Sequence, residues 1–434
     1  MAAPENSPSA FDAYHPPALD IIDKCVHCGF CLAACPTYVL WHEEMDSPRG
    51  RIYLMKTATE GAAQIAQPWI RHFDTCLGCM ACMPACPSGV DYGKLIEATR
   101  AQIERQYRRP FLEKLHRELL FAIFPRPERL HFLRWPLLAY QKSGLQTLVR
   151  KLGLLKLLPK KLAALDALLP AIGPAEMIPD VTPAIGERRL RAGLLLGCVQ
   201  REFLPQINAA TARVLAAEGC EVVAPRAQPC CGALLVHAGE ESAALALARQ
   251  TIDVFEEANV SVIVTNAAGC GSNVKEYGHL LRDDPDYAER AKTFAAKCKD
   301  ITEVLAELSP RAARHPLRLR VAVHDACHLQ HAQGVRAQPR SLLSGIPGVQ
   351  LAEIPESAIC CGSAGIYNLV QPLAAAELGA RKAQLIIGLN ADVVATGNPG
   401  CILQLLSSLA RQNAKTPVLH TIQLLDASIN ATEL

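Results

Sequence analysis

The pattern of apolar and polar positions changes several times along the 434 residues of the chain. Residues 21–110 place short apolar stretches between cysteine-rich loops, and residues 111–187 repeat leucines at helical spacing with basic residues between them. From residue 188 onward, short apolar runs alternate with longer Ala-rich stretches, which is typical of buried strands separated by helices. The chain is therefore expected to contain an N-terminal arm, a small cysteine-rich domain, a linker and two α/β domains, at residues 1–20, 21–110, 111–187, 188–310 and 311–434.

The first hundred residues predict two helices and little other regular structure. A cap at residue 46 or 47 followed by Pro48 predicts a helix that runs to about Ala66. A further helix is expected from Tyr92 to Tyr107. Residues 1–20 carry no comparable pattern, and we expect them to form a loose arm.

The two α/β segments repeat one another. Each starts with an apolar strand that leads into a cysteine, and continues through an adjacent cysteine pair, a long helix and another strand to a last cysteine. The first cysteine precedes the pair by 32 residues in one copy and by 33 in the other, and the pair precedes the last cysteine by 39 and 40 residues. This agreement predicts an internal duplication, with long helices at residues 236–258 and 372–389.

Two cysteine runs near the N-terminus share one spacing: three cysteines at intervals of three residues, a fourth cysteine four residues later, and then a proline. Bacterial two-cluster ferredoxins have this spacing, and there the fourth thiolate binds the neighbouring [4Fe–4S] cluster. Soft thiolates favour iron–sulfur over hard cations, and two complete copies make structural zinc or a disulfide framework much weaker interpretations. The expected ligands are Cys25, Cys28, Cys31 and Cys86 for the first cluster, and Cys76, Cys79, Cys82 and Cys35 for the second.

The cysteines of the duplicated segments fall close to the carboxyl ends of predicted strands, where α/β sheets place their ligand sites. Adjacent cysteines form a disulfide only with strain, and the glycine after each pair allows a close backbone approach. An additional iron–sulfur centre, a redox thiol site, a relic without metal and a set of buried small side chains all remain open. The candidate residues are Cys198, Cys230, Cys231, Cys270, Cys327, Cys360, Cys361 and Cys401. Cys220 and Cys298 have no counterpart in the duplication and are expected to be core thiols.

The composition excludes several classes of protein. The formal net charge is +2, so nucleic acid is not an expected partner. The N-terminus lacks the basic start and apolar core of a secretory signal, and no run of about eighteen apolar residues predicts a membrane span. With 18 cysteines to keep reduced or ligated, we expect a cytoplasmic protein, or one held peripherally on the inner face of the cell membrane.

The basic linker supports two interpretations. Leucines recur at helical spacing across residues 145–162 with lysines and arginines between them. The favoured interpretation is a set of helices that connects two domains and packs on a partner subunit. The alternative is a basic amphipathic face that lies on a membrane surface.

Some polar residues near these motifs invite a functional interpretation. His324, His328 and His331 surround Cys327, and we expect local hydrogen bonding, with a proton relay or tuning of a nearby centre as the alternative. Arginines 49 and 51 are expected to be solvated or paired, with docking of a flavin-containing subunit as the alternative.

Two family resemblances follow from these motifs. The Cys-Cys-Gly copies resemble the cysteine-rich domain that occurs twice in B-type subunits of heterodisulfide reductase, except that Asn273 and Gln404 stand where that pattern has a further cysteine. Each copy therefore offers four cysteines rather than five. The chain as a whole resembles the iron–sulfur subunits of glycolate oxidase, on segments beyond the cysteines alone, at residues 25–31, 47–54, 86–90, 269–278, 329–333 and 360–365.

The resemblance implies a multidomain α+β and α/β protein: an α-helical ferredoxin-type 2[4Fe–4S] domain followed by duplicated Rossmann-like α/β cysteine-rich domains. It implies an electron-transfer role beside FAD-binding glycolate oxidase subunits, with FAD only in the partner, which oxidises glycolate to glyoxylate. No residue of this chain is expected to be catalytic. The equivalent subunit of a lactate or glycerol-3-phosphate dehydrogenase, and a heterodisulfide-reductase-like thiol protein, are the alternatives. A quinone is a candidate acceptor for a membrane-associated complex, although no quinone motif occurs in the sequence.

Overall fold

Short helices hold the two N-terminal cysteine loops in a computed structural model that describes residues 9–157, 159–173, 176 and 178–433. A 3₁₀ turn at Glu44–Asp46 precedes the longest helix between the loops. The helices of this region are α1 (Leu19–Ile22), α2 (Pro36–Trp41), α3 (Pro48–Thr59), α4 (Gln67–Asp74) and α5 (Tyr92–Gln106). The predicted N-terminus of α3 is correct, since Ser47 accepts a hydrogen bond from the Gly50 amide and Pro48 follows it.

Two expectations for this region are wrong. The helix that starts at Pro48 ends at Thr59 rather than near Ala66, because the chain turns at Gly61, whose φ of +70° suits glycine best. The described part of the N-terminal arm is not loose. Phe11 is buried with its ring centroid 6.0 Å from that of Trp69, so this segment is part of the helical core. Residues 1–8 of the arm lie outside the described residues.

The linker is helical, as the leucine spacing predicts. Its helices are α6 (Phe111–Ile123), α7 (Pro127–Lys142), α8 (Leu145–Lys151) and α9 (Lys160–Leu168), with a 3₁₀ turn at Leu154–Leu157. Many large apolar side chains of these helices are exposed, among them Phe111 at 75% and Trp135 at 62%. This segment therefore carries an apolar surface that no other part of the described chain covers.

The first α/β half contains a five-stranded sheet in the order β1-β3-β2-β4-β5, in which only β1 is antiparallel to its neighbour. Its elements are β1 (Val181–Thr182), β2 (Leu190–Leu195), α10 (Val199–Phe203), α11 (Pro205–Ala217), β3 (Cys220–Val223), α12 (Ala233–Val236), α13 (Glu241–Glu257), β4 (Val262–Thr265), α14 (Ala268–Lys275), α15 (Tyr277–Leu280), α16 (Ala288–Ala296), β5 (Cys298–Asp300) and α17 (Ile301–Glu307). The expected single helix at 236–258 is wrong, because the chain breaks between α12 and α13 at Gly239, whose φ is +86°. A Cβ there would lie 2.4 Å from the carbonyl oxygen of Arg100.

The second half contains a four-stranded parallel sheet in the order β7-β6-β8-β9. Its elements are β6 (Leu319–His324), α18 (Ala337–Ser344), β7 (Val349–Glu353), α19 (Tyr367–Val370), α20 (Pro372–Gly388), β8 (Val393–Thr396), α21 (Pro399–Arg411), β9 (Val418–His420) and α22 (Thr421–Asn430). A π-helical turn at His328–Ala332 follows β6. Parallel strands need long crossover connections, and in both halves helices supply them. The parallel strands of the two halves follow the same spatial order.

The two α/β halves share one hydrophobic core. A single cluster of buried side chains joins Leu194 and Leu215 of the first half to Val321 and Leu425 of the second. Helices α11 and α22 pack against each other, and Arg213 Nη2 lies 2.7 Å from an oxygen of Asp426 across this contact. The halves therefore meet through packed helices rather than through a flexible hinge.

The N-terminal helical domain lies against both halves. Arg100 of α5 donates a 2.8 Å hydrogen bond to the carbonyl oxygen of His237 in the first half. Leu77 and Cys79 of the second cysteine loop share an apolar cluster with Cys360 and Tyr367 of the second half. The second cysteine loop is thereby placed at the junction of the helical domain and the second half.

Candidate functional site

Four groups of cysteines define the candidate site. We name them the first set (Cys25, Cys28, Cys31, Cys86), the second set (Cys35, Cys76, Cys79, Cys82), the third set (Cys198, Cys230, Cys231, Cys270) and the fourth set (Cys327, Cys360, Cys361, Cys401). Each set combines residues that are far apart in sequence, so its members meet only because of the fold.

The first set lines a single cavity with an empty volume of about 410 Å³ at the protein surface. Cys86 comes from the second run, yet it lines this cavity together with the first three cysteines of the first run. The loop curls around the cavity because His27 and Gly29 take φ values of +51° and +88°. Arg49 secures the loop by donating a 3.1 Å hydrogen bond to the His27 carbonyl oxygen.

The second set is buried. Cys35, Cys76, Cys79 and Cys82 are each less than 9% exposed. Burial raises the pKa values of the Cys79 and Cys82 thiols well above their ordinary value. Burial also raises the pKa of the Cys76 thiol. The positive charges of the nearby Arg51 and Arg100 outweigh burial, so the pKa of this thiol is lowered overall. The amide of Gly78 also donates a 3.4 Å hydrogen bond to Cys76 Sγ.

Arg51 is the largest fully buried side chain beside the second set, at 1% exposure. Its Nε donates to the His72 carbonyl oxygen at 2.5 Å, and its Nη2 donates to Thr75 Oγ1 at 3.2 Å and to Asp46 Oδ1 at 3.4 Å. Its Nη1 lies 4.0 Å from Cys35 Sγ. Arg51 is therefore paired, as expected, and its partner is Asp46. The sequence did not reveal that this ion pair is buried beside a cysteine set.

The first two sets fit iron–sulfur clusters by their donor chemistry. Each offers four sulfur atoms, and cationic side chains lie beside each set, with Arg49 at the first and Arg51 at the second. Burial raises the pKa of Cys31 to about 11, so a bound metal is needed to keep this thiol ionised at neutral pH. Among the described residues, no three or more Cys, His, Asp or Glu side chains are gathered as ligands of one metal ion. The four thiols of each set match the four cysteine ligands of a [4Fe–4S] cluster.

The third and fourth sets each bring together the cysteines expected from the duplication. In the third set Cys230 Sγ lies 3.4 Å from Cys198 Sγ, and Cys231 interacts with both Cys230 and Cys270. In the fourth set Cys327 Sγ lies 3.9 Å from Cys360 Sγ, and Cys361 interacts with Cys360 and Cys401.

The positions where the related pattern has a fifth cysteine are taken by amides with structural roles. Asn273 donates a 2.7 Å hydrogen bond to the Cys231 carbonyl oxygen, and Gln404 donates a 2.8 Å hydrogen bond to the Ala375 carbonyl oxygen. Cys220 and Cys298 lie in strands β3 and β5 within apolar clusters, as expected for core thiols.

The fourth set adjoins the second set. Cys79 belongs to the same apolar cluster as Cys327, Cys360 and Tyr367. Hydrogen bonds from Cys327 and Cys361 outweigh the effect of burial and hold the pKa of Cys360 well below its ordinary value. These hydrogen bonds favour the thiolate form of Cys360, which lies next to a predicted cluster ligand.

His328 connects three parts of the chain at this junction. Its Nε2 donates to the Gly78 carbonyl oxygen at 3.0 Å, and its Nδ1 accepts from Ser272 Oγ at 2.7 Å. Burial lowers the pKa of His328 to about 3, so the ring is neutral. His324 and His331 also hydrogen bond, to Thr396 Oγ1 and to the Ala358 carbonyl oxygen. The local hydrogen bonding expected for these histidines is thus observed, whereas the bridging role of His328 has no sequence signal.

Comparison with known proteins agrees with this arrangement. Residues 21–90 match the model of the 4Fe-4S dicluster domain, residues 192–275 and 321–406 match the cysteine-rich domain, and residues 112–169 match the linker region of the glycolate oxidase iron-sulfur subunit. The linker match covers residues 112–169, for which the sequence motifs had left two interpretations open.

Individual relatives extend the match to nearly the whole chain. The chain is 38% identical to the probable glycolate oxidase iron-sulfur subunit of Bacillus subtilis (strain 168), over 93% of each chain. It is 36% identical to the glycolate oxidase iron-sulfur subunit of Escherichia coli (strain K12), over 94% of each. Lactate utilization protein A of Bacillus subtilis (strain 168) is 27% identical over 55% of this chain and 100% of its own length. The expected resemblance is confirmed, and this chain belongs to the family of glycolate oxidase iron–sulfur subunits.

Proposed function

We propose that this chain is the electron-transfer subunit of a glycolate oxidase complex, in which an FAD-containing partner oxidises glycolate to glyoxylate. The observation that carries the proposal is the series of adjoining thiol sites: Cys82 of the second set lines the first cavity, and Cys79 of the same set adjoins Cys360 of the fourth. The flavin performs the hydride chemistry in such a complex, while the protein controls position and potential.

We assign the first set and the second set as the ligands of two [4Fe–4S] clusters, which supply one-electron transfer when bound. The chain's own residues define how the two sites differ. The first set opens to the surface beside exposed Val26 and Phe30, which suits exchange with a partner subunit. The second set is buried against Arg51, which suits transfer within the chain.

We further infer that the two α/β halves are copies of one Rossmann-like unit, at residues 188–310 and 311–434, joined to the ferredoxin-type domain by the linker at residues 111–187. The shared strand order and the matched cysteine sets support this division. The fourth set adjoins the second set, so it is the copy that we assign to redox exchange with the ferredoxin-type domain. No cysteine of the third set belongs to the apolar cluster that contains Cys79.

The difference between the two copies gives a prediction for paired variants. Cys360→Ala removes a thiol whose ionised form is favoured beside the second set, so we expect the midpoint potential of the second cluster to rise. One charge at an effective dielectric constant of about 20 contributes about 1–2 kcal/mol, or about 40–90 mV for a one-electron couple. Cys230→Ala, the matched change in the third set, is expected to leave this potential within a few millivolts. An EPR-monitored redox titration measures both variants, and equal shifts would contradict the assignment of different roles.

A direct test of the function uses the purified complex under anaerobic conditions. Glycolate should bleach the visible iron–sulfur absorption and generate the EPR signals of reduced clusters, because electrons from the flavin reach this chain. D-Lactate and glycerol 3-phosphate serve as the comparison substrates. Faster cluster reduction by D-lactate than by glycolate would support the lactate alternative instead.

We propose a cytoplasmic location with peripheral contact at the inner face of the membrane. None of the helices within the described residues is long and apolar enough to cross a bilayer. Helices α6–α8 expose aromatic and leucine side chains together with lysines and arginines, and this composition favours an interfacial position on lipid.

A further inference from the structure

Helix α20 carries a lysine in the interior of the second α/β half. Lys382 is 2% exposed, and its Nζ donates a 2.7 Å hydrogen bond to the carbonyl oxygen of Glu356. Lysine is almost never fully buried unless it is paired, because a charge without a partner in the interior is costly. The position of Lys382 therefore requires a nearby group of opposite charge.

The carboxylates near Lys382 do not serve as that partner, since both are bound to arginines. An oxygen of Glu356 lies 2.7 Å from Arg381 Nε, and an oxygen of Asp325 lies 2.8 Å from Arg340 Nη1. Among the described residues, no carboxylate forms an ion pair with Lys382. The charge of this lysine is thus left to a different kind of group.

The cysteine pair of the fourth set is the group that remains. Burial lowers the pKa of Lys382, and the sulfur atoms of Cys361 and Cys360 oppose this shift more strongly than either carboxylate does. The two cysteines are 1% and 4% exposed, so water screens their charge little. Negative charge on this pair of sulfur atoms would compensate the buried ammonium group.

The internal duplication shows what the third set has at the same place. Helices α13 and α20 both contain 17 residues and both follow a Cys-Cys-Gly segment. A Cβ on the glycine of either segment would meet the fourth residue of its helix, Ala244 or Ala375. The two helices therefore align residue for residue, and Lys382 corresponds to Thr251. Thr251 is fully buried, neutral, and bonded to the Leu247 carbonyl oxygen of its own helix.

The strands that lead into the two sets differ in the same direction. β2 and β6 each contain six residues and end three positions before the first cysteine of their set. His324 and Asp325 consequently correspond to Leu195 and Leu196. Burial and, after it, the positive charge of Lys382 lower the pKa of His324 to about 4, so this ring is neutral. The surroundings of the fourth set thus contain charged and polar groups where those of the third set are apolar.

We propose that Lys382 is the counter-charge of the fourth cysteine set, and that it allows this set to hold negative sulfur charge in the protein interior. The third set, with Thr251 at the matched position, is neutral. Lys382 acts through the cysteines and is a positioning residue for charge. This inference goes beyond the proposed electron-transfer role, because it holds whichever substrate the complex oxidises.

The test is a double-mutant cycle on the melting temperature of the purified complex under anaerobic conditions. Lys382→Met should lower the melting temperature by about 5–10 °C, because it leaves the sulfur charge without its partner. In a Cys360→Ala/Cys361→Ala background the lysine itself has lost its partner. There the same change should leave the melting temperature unchanged or raise it.

The third set supplies the matched control. Thr251→Met changes the corresponding helix position, and Cys230→Ala/Cys231→Ala changes the corresponding cysteines. No charge pair exists between them, so Thr251→Met should shift the melting temperature equally with and without the cysteines. A loss of stability from Lys382→Met that is equal in both backgrounds would overturn the proposal, because loss of packing or of one hydrogen bond does not depend on the cysteines.

A second variant separates charge from hydrogen bonding and needs no change of the cysteines. Lys382→Gln keeps an N–H donor for the Glu356 carbonyl oxygen but removes the charge. We expect it to lower the melting temperature nearly as much as Lys382→Met. A glutamine variant as stable as the wild type would also overturn the proposal, since it would show that only the hydrogen bond matters.

Discussion

Replacing Cys86 with alanine should remove the first cluster and spare the second, although Cys86 belongs to the second cysteine run. The structure places Cys86 at the cavity lined by Cys25, Cys28 and Cys31, and three ligands hold a [4Fe–4S] cluster poorly. Cys35→Ala should have the opposite result, since Cys35 lies with the second set. Each variant should lose about half of about eight irons per chain. Iron and sulfide analysis with EPR of the reduced protein measures the loss.

The two variants should differ in stability. The second set is buried, so loss of its cluster in Cys35→Ala leaves three buried thiols without their metal, and cluster binding contributes to folding. We expect a larger fall in the melting temperature for Cys35→Ala than for Cys86→Ala. Cys220→Ala, a core thiol outside all four sets, should keep its full iron content. Loss of the second cluster's signal in Cys86→Ala would show that the crossed ligation is wrong.

Replacing Arg51 with methionine should destabilise the helical domain by about 3–5 kcal/mol, the usual cost of breaking a buried ion pair. The change removes the buried cationic partner of Asp46, which is 1% exposed, and one of the donors to the His72 carbonyl oxygen. Arg51→Lys should not restore stability, because a lysine cannot donate in several fixed directions at once. Arg71→Met is the matched control, since Arg71 is 65% exposed and 4.0 Å from Asp46. That variant should lose less than about 1 kcal/mol.

Arg51 should also set the potential of the second cluster. A positive charge beside the ligands favours the reduced, more negative state, so its removal should lower the midpoint potential. At an effective dielectric constant of about 20, one nearby charge contributes about 2 kcal/mol, or about 90 mV for a one-electron couple. EPR-monitored titration of Arg51→Met, at a temperature where it stays folded, measures this shift. An unchanged potential would mean that Arg51 has only a structural role.

Spacing was enough to predict the parts of the site that depend on local chain geometry. The intervals within residues 25–36 and 76–87 identify cluster loops, because few conformations place closely spaced thiols around one cluster. The order of strands and helices in the last two domains followed from apolar periodicity, because buried parallel strands carry continuous apolar runs. Helix ends were less accurate. The early end of α3 and the break at Gly239 depend on turns and on a close approach to Arg100, which periodicity does not record.

The sequence by itself determined the family and the electron-transfer role and predicted which cysteines form each set, since these depend on residue type and interval. The tertiary structure alone decided that the second set adjoins the fourth set rather than the third, and that Arg51 is buried beside the second set. The first contact joins two domains, and the second joins separate elements of the helical domain. Both depend on how distant parts of the chain pack, and no local pattern along the chain encodes that packing.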